Sequence, residues 1–238
     1  SGGHHKHAGY FTPDVSCPND PNNLILKLPE GLNLKWSCMF GMASVAMHDV
    51  KRSEIGLGDR ALVVGAGSVG LFTAQIAHAA GAHVTICDLN PRRLEIAKST
   101  GVQSTVTIKD DSDWDRIRST GPYDVVFGDS GAPVLDRIIG DDWGKGLITH
   151  RGKIIIIAGR FDVTYHFNAG QSHEATLLHA SHFNQSDLRE LCRLVMEGII
   201  QVEPIIRDVV PIEQAHAIYD RLRDDPSSLL GTVFDWSD

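Results

Sequence analysis

The chain has 238 residues, 42% hydrophobic and 22% charged, which is enough apolar material for a sizeable core and excludes a disordered or fibrous chain. Its 22 basic and 30 acidic residues leave a net charge of -8, which argues against nucleic acid or an anionic membrane surface as the main partner. No apolar run reaches the length of a membrane span, and the four cysteines form no CxxC pair, so free thiols in a reducing, cytoplasmic compartment are expected.

Residues 1–34 are rich in His, Pro, Asn and Gly, and Pro18, Pro21 and Pro29 break any helix there. His4, His5 and His7 invite a metal reading, but a frayed or tag-like end is preferred for them. A helix is expected over 35–52. Residues 56–59 then turn into Ala61-Leu62-Val63-Val64, an apolar run of the kind found in buried parallel strands.

The next stretch carries the chemistry. Gly65-Ala66-Gly67-Ser68-Val69-Gly70 follows the strand directly, a helix is expected over 71–80, a strand over 83–87, and Asp88 closes that strand. The order strand, glycines, helix, strand, acid is the signature of a dinucleotide site. Gly65 permits the tight turn, Gly67 lets the backbone approach a pyrophosphate, and Gly70 lets the helix pack closely on the strand. The amides of Ser68 and Val69 lie where phosphates are met at a helix N-terminus. Asp88 can accept from the adenosine ribose hydroxyls and would repel a 2′-phosphate, so NAD is the expected cofactor.

Strands and helices keep alternating. A helix is expected over 92–99, a strand near 104–108, a helix over 111–119, a strand over 123–127, a helix over 133–139, and strands over 153–158 and 175–178. This pattern predicts an α/β, doubly wound parallel sheet. Gly128-Asp129-Ser130-Gly131-Ala132-Pro133 resembles the nucleophile signature of a trypsin-like protease, but a parallel βαβ order is incompatible with a double β-barrel. Toward the end, Ser186-Asp187 opens an amphipathic helix that stops at Gly198, followed by a strand near 205–210, a helix over 211–223 and a closing strand over 229–236.

Three blocks resemble the medium-chain dehydrogenase/reductase superfamily, the zinc-type alcohol and polyol dehydrogenases. They are Leu28-Pro29-Glu30-Gly31-Leu32, the segment from Gly58 to Gly67, and the tail from Val202-Glu203-Pro204 through Pro211-Ile212-Glu213-Gln214-Ala215. The resemblance implies a Rossmann domain plus remnants of a GroES-like catalytic domain drawn from both chain ends. It divides the chain into 1–40 as the end of the catalytic domain, 41–185 as the NAD-binding domain and 186–238 as a helix and return segment. On that alignment most of the N-terminal barrel is absent, so the chain is expected to be an N-terminal truncation, a fragment or a natural short form.

The activity implied is NAD(H)-dependent hydride transfer between an alcohol and a carbonyl in a small-molecule substrate, by a homo-oligomer. The alternatives are a zinc-independent member, such as a reductase or a bacteriochlorophyllide-dehydrogenase-like enzyme, and an inactive NAD-binding or oligomerisation module. The resemblance further places Ser130 near the nicotinamide ribose, Gly159 beside the nicotinamide, and Arg93 toward the adenine ribose; a solvated helix charge is an equal reading of Arg93. For catalysis the one candidate is His48, as a proton relay or, alternatively, a packed helical histidine. Zinc is in doubt, because Cys38 is the single candidate ligand, Gly41 stands where polyol-type members carry Glu, and one soft ligand cannot make a tetrahedral site.

Overall fold

Six parallel strands form the central sheet of the chain in a computed structural model, which describes residues 26–102, 104–128, 134–140, 146–158 and 162–237. They are β1 (Arg60–Val64), β2 (His83–Asp88), β3 (Ser104–Thr107), β4 (Tyr123–Gly128), β5 (Ile148–Ile156) and β6 (Thr176–His179), in the order β3-β2-β1-β4-β5-β6. Every neighbouring pair is parallel, as the strand–helix alternation predicts. The strand order reverses between β1 and β4, which opens a crevice at the carboxyl ends of the strands.

The central strands are apolar at successive positions because both sheet faces are covered, and their alternating side chains sort into two cores. Val63, Ile86, Val125, Phe127 and Ile155 point into one; Leu62, Val64, Cys87, Val126 and Ile154 point into the other. The first core is roofed by α2 (Phe40–Ser53), α3 (Ser68–Ala79) and α8 (Gln185–Met196), the second by α5 (Ser112–Thr120) and α6 (Leu135–Ile139). Among the described residues no helix is long and apolar enough to cross a membrane.

Several local expectations are corrected. The helix expected over 35–52 is two helices, α1 (Leu34–Ser37) and α2, separated at Cys38 and Met39. Asn33 caps α1 at the amide of Lys35, and the Ser37 hydroxyl bonds back to the Leu34 carbonyl at 2.6 Å, competing with a continuing ladder. Strand β5 starts well before residue 153. Tyr123 pairs with Ile148 but Val125 pairs with Lys153, and the extra residues form an irregularity in which Arg151 takes φ 63°. Its polar residues hid it from an apolar-run reading. A further helix, α7 (Phe167–Ser172), lies between β5 and β6 where none was expected.

The chain end also differs in detail. The expected strand near 205–210 is a 3-10 turn, Glu203–Ile205, followed by β7 (Asp208–Pro211). The expected helix over 211–223 is a second 3-10 turn, Ile212–Gln214, leading into α9 (Ala215–Asp224). The closing strand β8 (Thr232–Asp235) pairs with β7 in parallel, as a two-stranded sheet separate from the main one. Helix α9 buries none of its residues, and its Tyr219 ring lies 5.9 Å from that of Phe234.

Candidate functional site

The glycine turn sits at the switch in strand order. Gly65 leaves β1 with φ 112°, a backbone conformation that a side chain disfavours, and its amide donates to the Cys87 carbonyl at 2.8 Å. Gly67 is the N-cap of α3, with φ -72° and ψ 180°, and no side chain caps this helix. The first intrahelical bond of the turn is from the Leu71 amide to the Gly67 carbonyl, so the amides of Ser68, Val69 and Gly70 are left for a partner outside the helix.

Gly67 is informative because nothing inside the described chain demands it. Its φ suits any residue, and a Cβ added there would meet no atom within 4 Å. The space it leaves lies directly before three unpartnered amides and the positive end of a helix, which suits a pyrophosphate. Gly70 differs from it in being fully buried in the first turn of α3, in keeping with a packing role.

Asp88 ends β2 beside this space. One carboxylate oxygen accepts from the Ala66 amide at 2.6 Å, the other from the Asn90 amide at 2.7 Å. These bonds tie the acid to the turn, and since a carboxylate offers roughly four acceptor directions, it retains capacity for two ribose hydroxyls. Arg93 makes a contact that neither sequence expectation included: its Nη2 donates to the carbonyls of Ser227 at 3.1 Å and Leu229 at 3.0 Å, which pins the return segment against α4 (Pro91–Ser99). Ser130 and Gly159, expected near the nicotinamide, lie outside the described residues, as do His4, His5 and His7.

His48 takes part in a joint between α2 and α8. Its Nδ1 lies 2.8 Å from one oxygen of Asp187, and Lys51 donates to the other at 2.8 Å. Asp187 is itself buried (1% exposed) and accepts from the Asn184 amide at 2.9 Å, completing a capping box with Asn184. The cap of α8 is therefore Asn184 and not Ser186. Despite burial, which pushes the other way, these donors hold the Asp187 carboxyl below the usual carboxylate range. The structure brings His48 to Asp187, a contact that neither sequence reading of it named.

Asp49, next along α2, was missed by sequence reasoning. It is 1% exposed, and its Oδ2 has no hydrogen-bond partner among the described residues. Burial, with the charge of Asp187 adding to it, pushes this carboxyl up to about 7. The spacing Asn184-x-x-Asp187 was the one available signal for the joint; nothing in the sequence marks Asp49 as a core position.

Cys38 is exposed at the break between α1 and α2. Among the described residues no group of three His, Cys, Asp or Glu side chains is placed to hold a metal. Cys87 and Cys192 are buried, and burial pushes the Cys87 thiol up to about 12. Under native conditions Cys38 should react with a maleimide at least tenfold faster than Cys87 or Cys192, with both buried thiols released on unfolding. Peptide mass mapping checks this, and rapid native labelling of Cys87 would contradict the packing of β2.

The comparisons with known proteins agree with this geometry. The zinc-binding dehydrogenase family matches residues 68–197. The chain is 28% identical over 215 residues to the 2-dehydro-3-deoxy-L-galactonate 5-dehydrogenase of Pseudoalteromonas atlantica, covering 87% of this chain and 60% of that protein. It is 28% identical to sorbitol dehydrogenase 1 of Saccharomyces cerevisiae, covering 84% of this chain and 58% of the relative. Among solved structures, 2R,3R-butanediol dehydrogenase of Bacillus subtilis superposes with a TM-score of 0.75 at 23% identity, over 89% of this chain and 60% of the other. A thermostable alcohol dehydrogenase of Pyrobaculum aerophilum gives 0.69 at 21% identity, over 87% and 59%. The chain thus spans about 60% of the length of the relatives it matches. From the glycine turn, the sheet order and this match over more than half of its length, the chain belongs to the zinc-binding dehydrogenase family.

Proposed function

We propose that the chain supplies the cofactor-binding half of an NAD(H)-dependent oxidoreductase that interconverts a small-molecule alcohol and its carbonyl. The observation that carries this reading is the open space at Gly67, set between the uncapped start of α3 and the carboxylate of Asp88. When bound, the nicotinamide would accept or give the hydride. In this reading Gly65 and Gly67 shape the turn, the amides of Ser68, Val69 and Gly70 bind the pyrophosphate, and Asp88 orients the adenosine ribose. Arg93 closes the adenosine end by holding the return segment, and the family resemblance would put Ser130 and Gly159 toward the nicotinamide.

Relatives named for sorbitol and for a deoxygalactonate support a polyhydroxylated substrate class. No proton-transfer step is assigned to His48 or Cys38. The glycine at position 41, where polyol-type relatives carry a carboxylate, favours a zinc-independent member as the second reading. Residues 1–40 would be the end of a catalytic domain, 41–185 the cofactor domain, and 186–238 a helix and the segment that returns to the catalytic domain. Pairing of the edge strand β6 with a second copy would account for a homo-oligomer. The unbridged cysteines among the described residues support a reducing, cytoplasmic compartment in this reading.

Calorimetric titration tests the cofactor. Asp88→Ala should weaken NAD binding about tenfold, the worth of one charge-assisted hydrogen bond. NADP affinity should fall less, because a repulsive charge is removed with the acceptor. Tighter binding of NADP than of NAD by the unmodified chain would overturn the role given to Asp88.

A further inference from the structure

A cleft of about 690 Å³ separates one flank of α4 from the return segment that carries β7, α9 and β8. It is lined by four arginines, Arg92, Arg93, Arg207 and Arg221, against two carboxylates, Glu95 and Asp208. Neither Asp88 nor any residue from Gly65 to Gly70 lines it, so it lies apart from the glycine turn, although Arg93, given to the adenosine end, is shared. In a chain of net charge -8, this concentration of guanidinium groups needs an explanation.

Internal pairing does not provide one. Arg93 spends one nitrogen on the carbonyls of Ser227 and Leu229, and Arg221 spends one on Ser228, at 3.3 Å from both its carbonyl and its hydroxyl. Each guanidinium has five N–H donors, so both retain donors for another group. The side chains of Arg92 and Arg207 make no hydrogen bond or ion pair with any described residue. Glu95, the nearest available counter-charge on α4, is bonded to Lys98 at 2.8 Å. Four like charges gathered across one seam, two of them unpartnered, repel one another until an anion sits between them.

We propose that this cleft is a binding site for a small phosphate-bearing anion, bridged by Arg92 from α4 and Arg207 from the return segment. Guanidinium groups take phosphate oxygens in pairs, and a ligand held from both sides would clamp the return segment to the cofactor domain. The volume suits a small molecule. Glu95 and Asp208 on the same walls disfavour an extended polyanion such as nucleic acid. The assignment does not depend on the cofactor reading.

Calorimetric titration of the whole chain, saturated with NAD so that the glycine turn is filled, with inorganic pyrophosphate, and separately with glycerol 3-phosphate, tests it. The unmodified chain should bind at least one, and the tighter of the two distinguishes a free diphosphate from a phosphate ester. The double variant Arg92→Ala/Arg207→Ala, whose two positions are exposed, should keep its circular dichroism spectrum and lose at least tenfold in that affinity. Asp88→Ala should leave it unchanged, so failure of the cofactor reading would not be confused with failure of this one. No binding by the unmodified chain, or equal binding by the double variant, would overturn the proposal.

Discussion

Asp187→Ala is expected to lower the stability of the chain by about 3–5 kcal/mol, the usual cost of removing one partner from a buried ionic cluster. Three donors converge on this carboxylate: the His48 ring, the Lys51 ammonium and the Asn184 amide. The loss has separable parts. Removal of the capping-box acid frees an amide at the start of α8, and the two side chains from α2 lose their common acceptor. The Lys51 contribution is discounted because 47% of that side chain is exposed, so water replaces much of the pair. The larger share rests on the buried end of the cluster. For a domain of this size each kcal/mol moves the melting temperature by about 2–4 °C, so a fall of about 6–20 °C is expected at pH 7.

The pH dependence gives a second check on Asp187. Its folded value lies below 3.8, so it stabilises the fold above the unfolded value and loses that effect as pH falls through the depressed one. The gap between Asp187→Ala and the unmodified chain should therefore narrow as pH falls below the ordinary carboxylate range. A melting difference under about 2 °C at pH 7 would show that the joint between α2 and α8 is held by packing alone.

What the sequence made legible follows from the range over which each signal acts. The glycine turn and Asp88 are encoded within one strand–helix–strand unit, so their order in the chain implies their meeting in space. The apolar strands announced themselves because both faces of the sheet are covered. The extension of β5 did not, since Thr149, His150 and Arg151 look like loop and pair only through an irregularity in register. Arg93 gave no sign that it would hold residues from the far end of the chain. The Asp187 joint links positions 139 and 136 residues apart, beyond any local pattern. Asp49 is the extreme case, a carboxylate on the buried side of α2 that no local pattern marks.

That carboxylate predicts the opposite behaviour from Asp187. Asp49→Ala should stabilise the chain at pH 8, and the gain should vanish near pH 4. Its folded value, about 7, lies above the ordinary 3.8. Between these values the folded chain binds more protons than the unfolded one, so stability falls as pH rises across that window and stays low above it. At roughly 1.4 kcal/mol for each unit of pKa difference, ionised Asp49 costs on the order of 4 kcal/mol. Removing it exposes no new unsatisfied group, since Oδ2 has no partner to strand, and the cavity left behind subtracts only part of the gain. The two acids also couple. Part of the upward push on Asp49 comes from the charge of Asp187, so Asp49→Ala should gain less in an Asp187→Ala background than alone. Thermal melts of the single and double variants at pH 4 and pH 8 measure both effects. A gain from Asp49→Ala that is the same at both pH values would mean that the group ionises freely in the fold, and the account of its burial would be wrong.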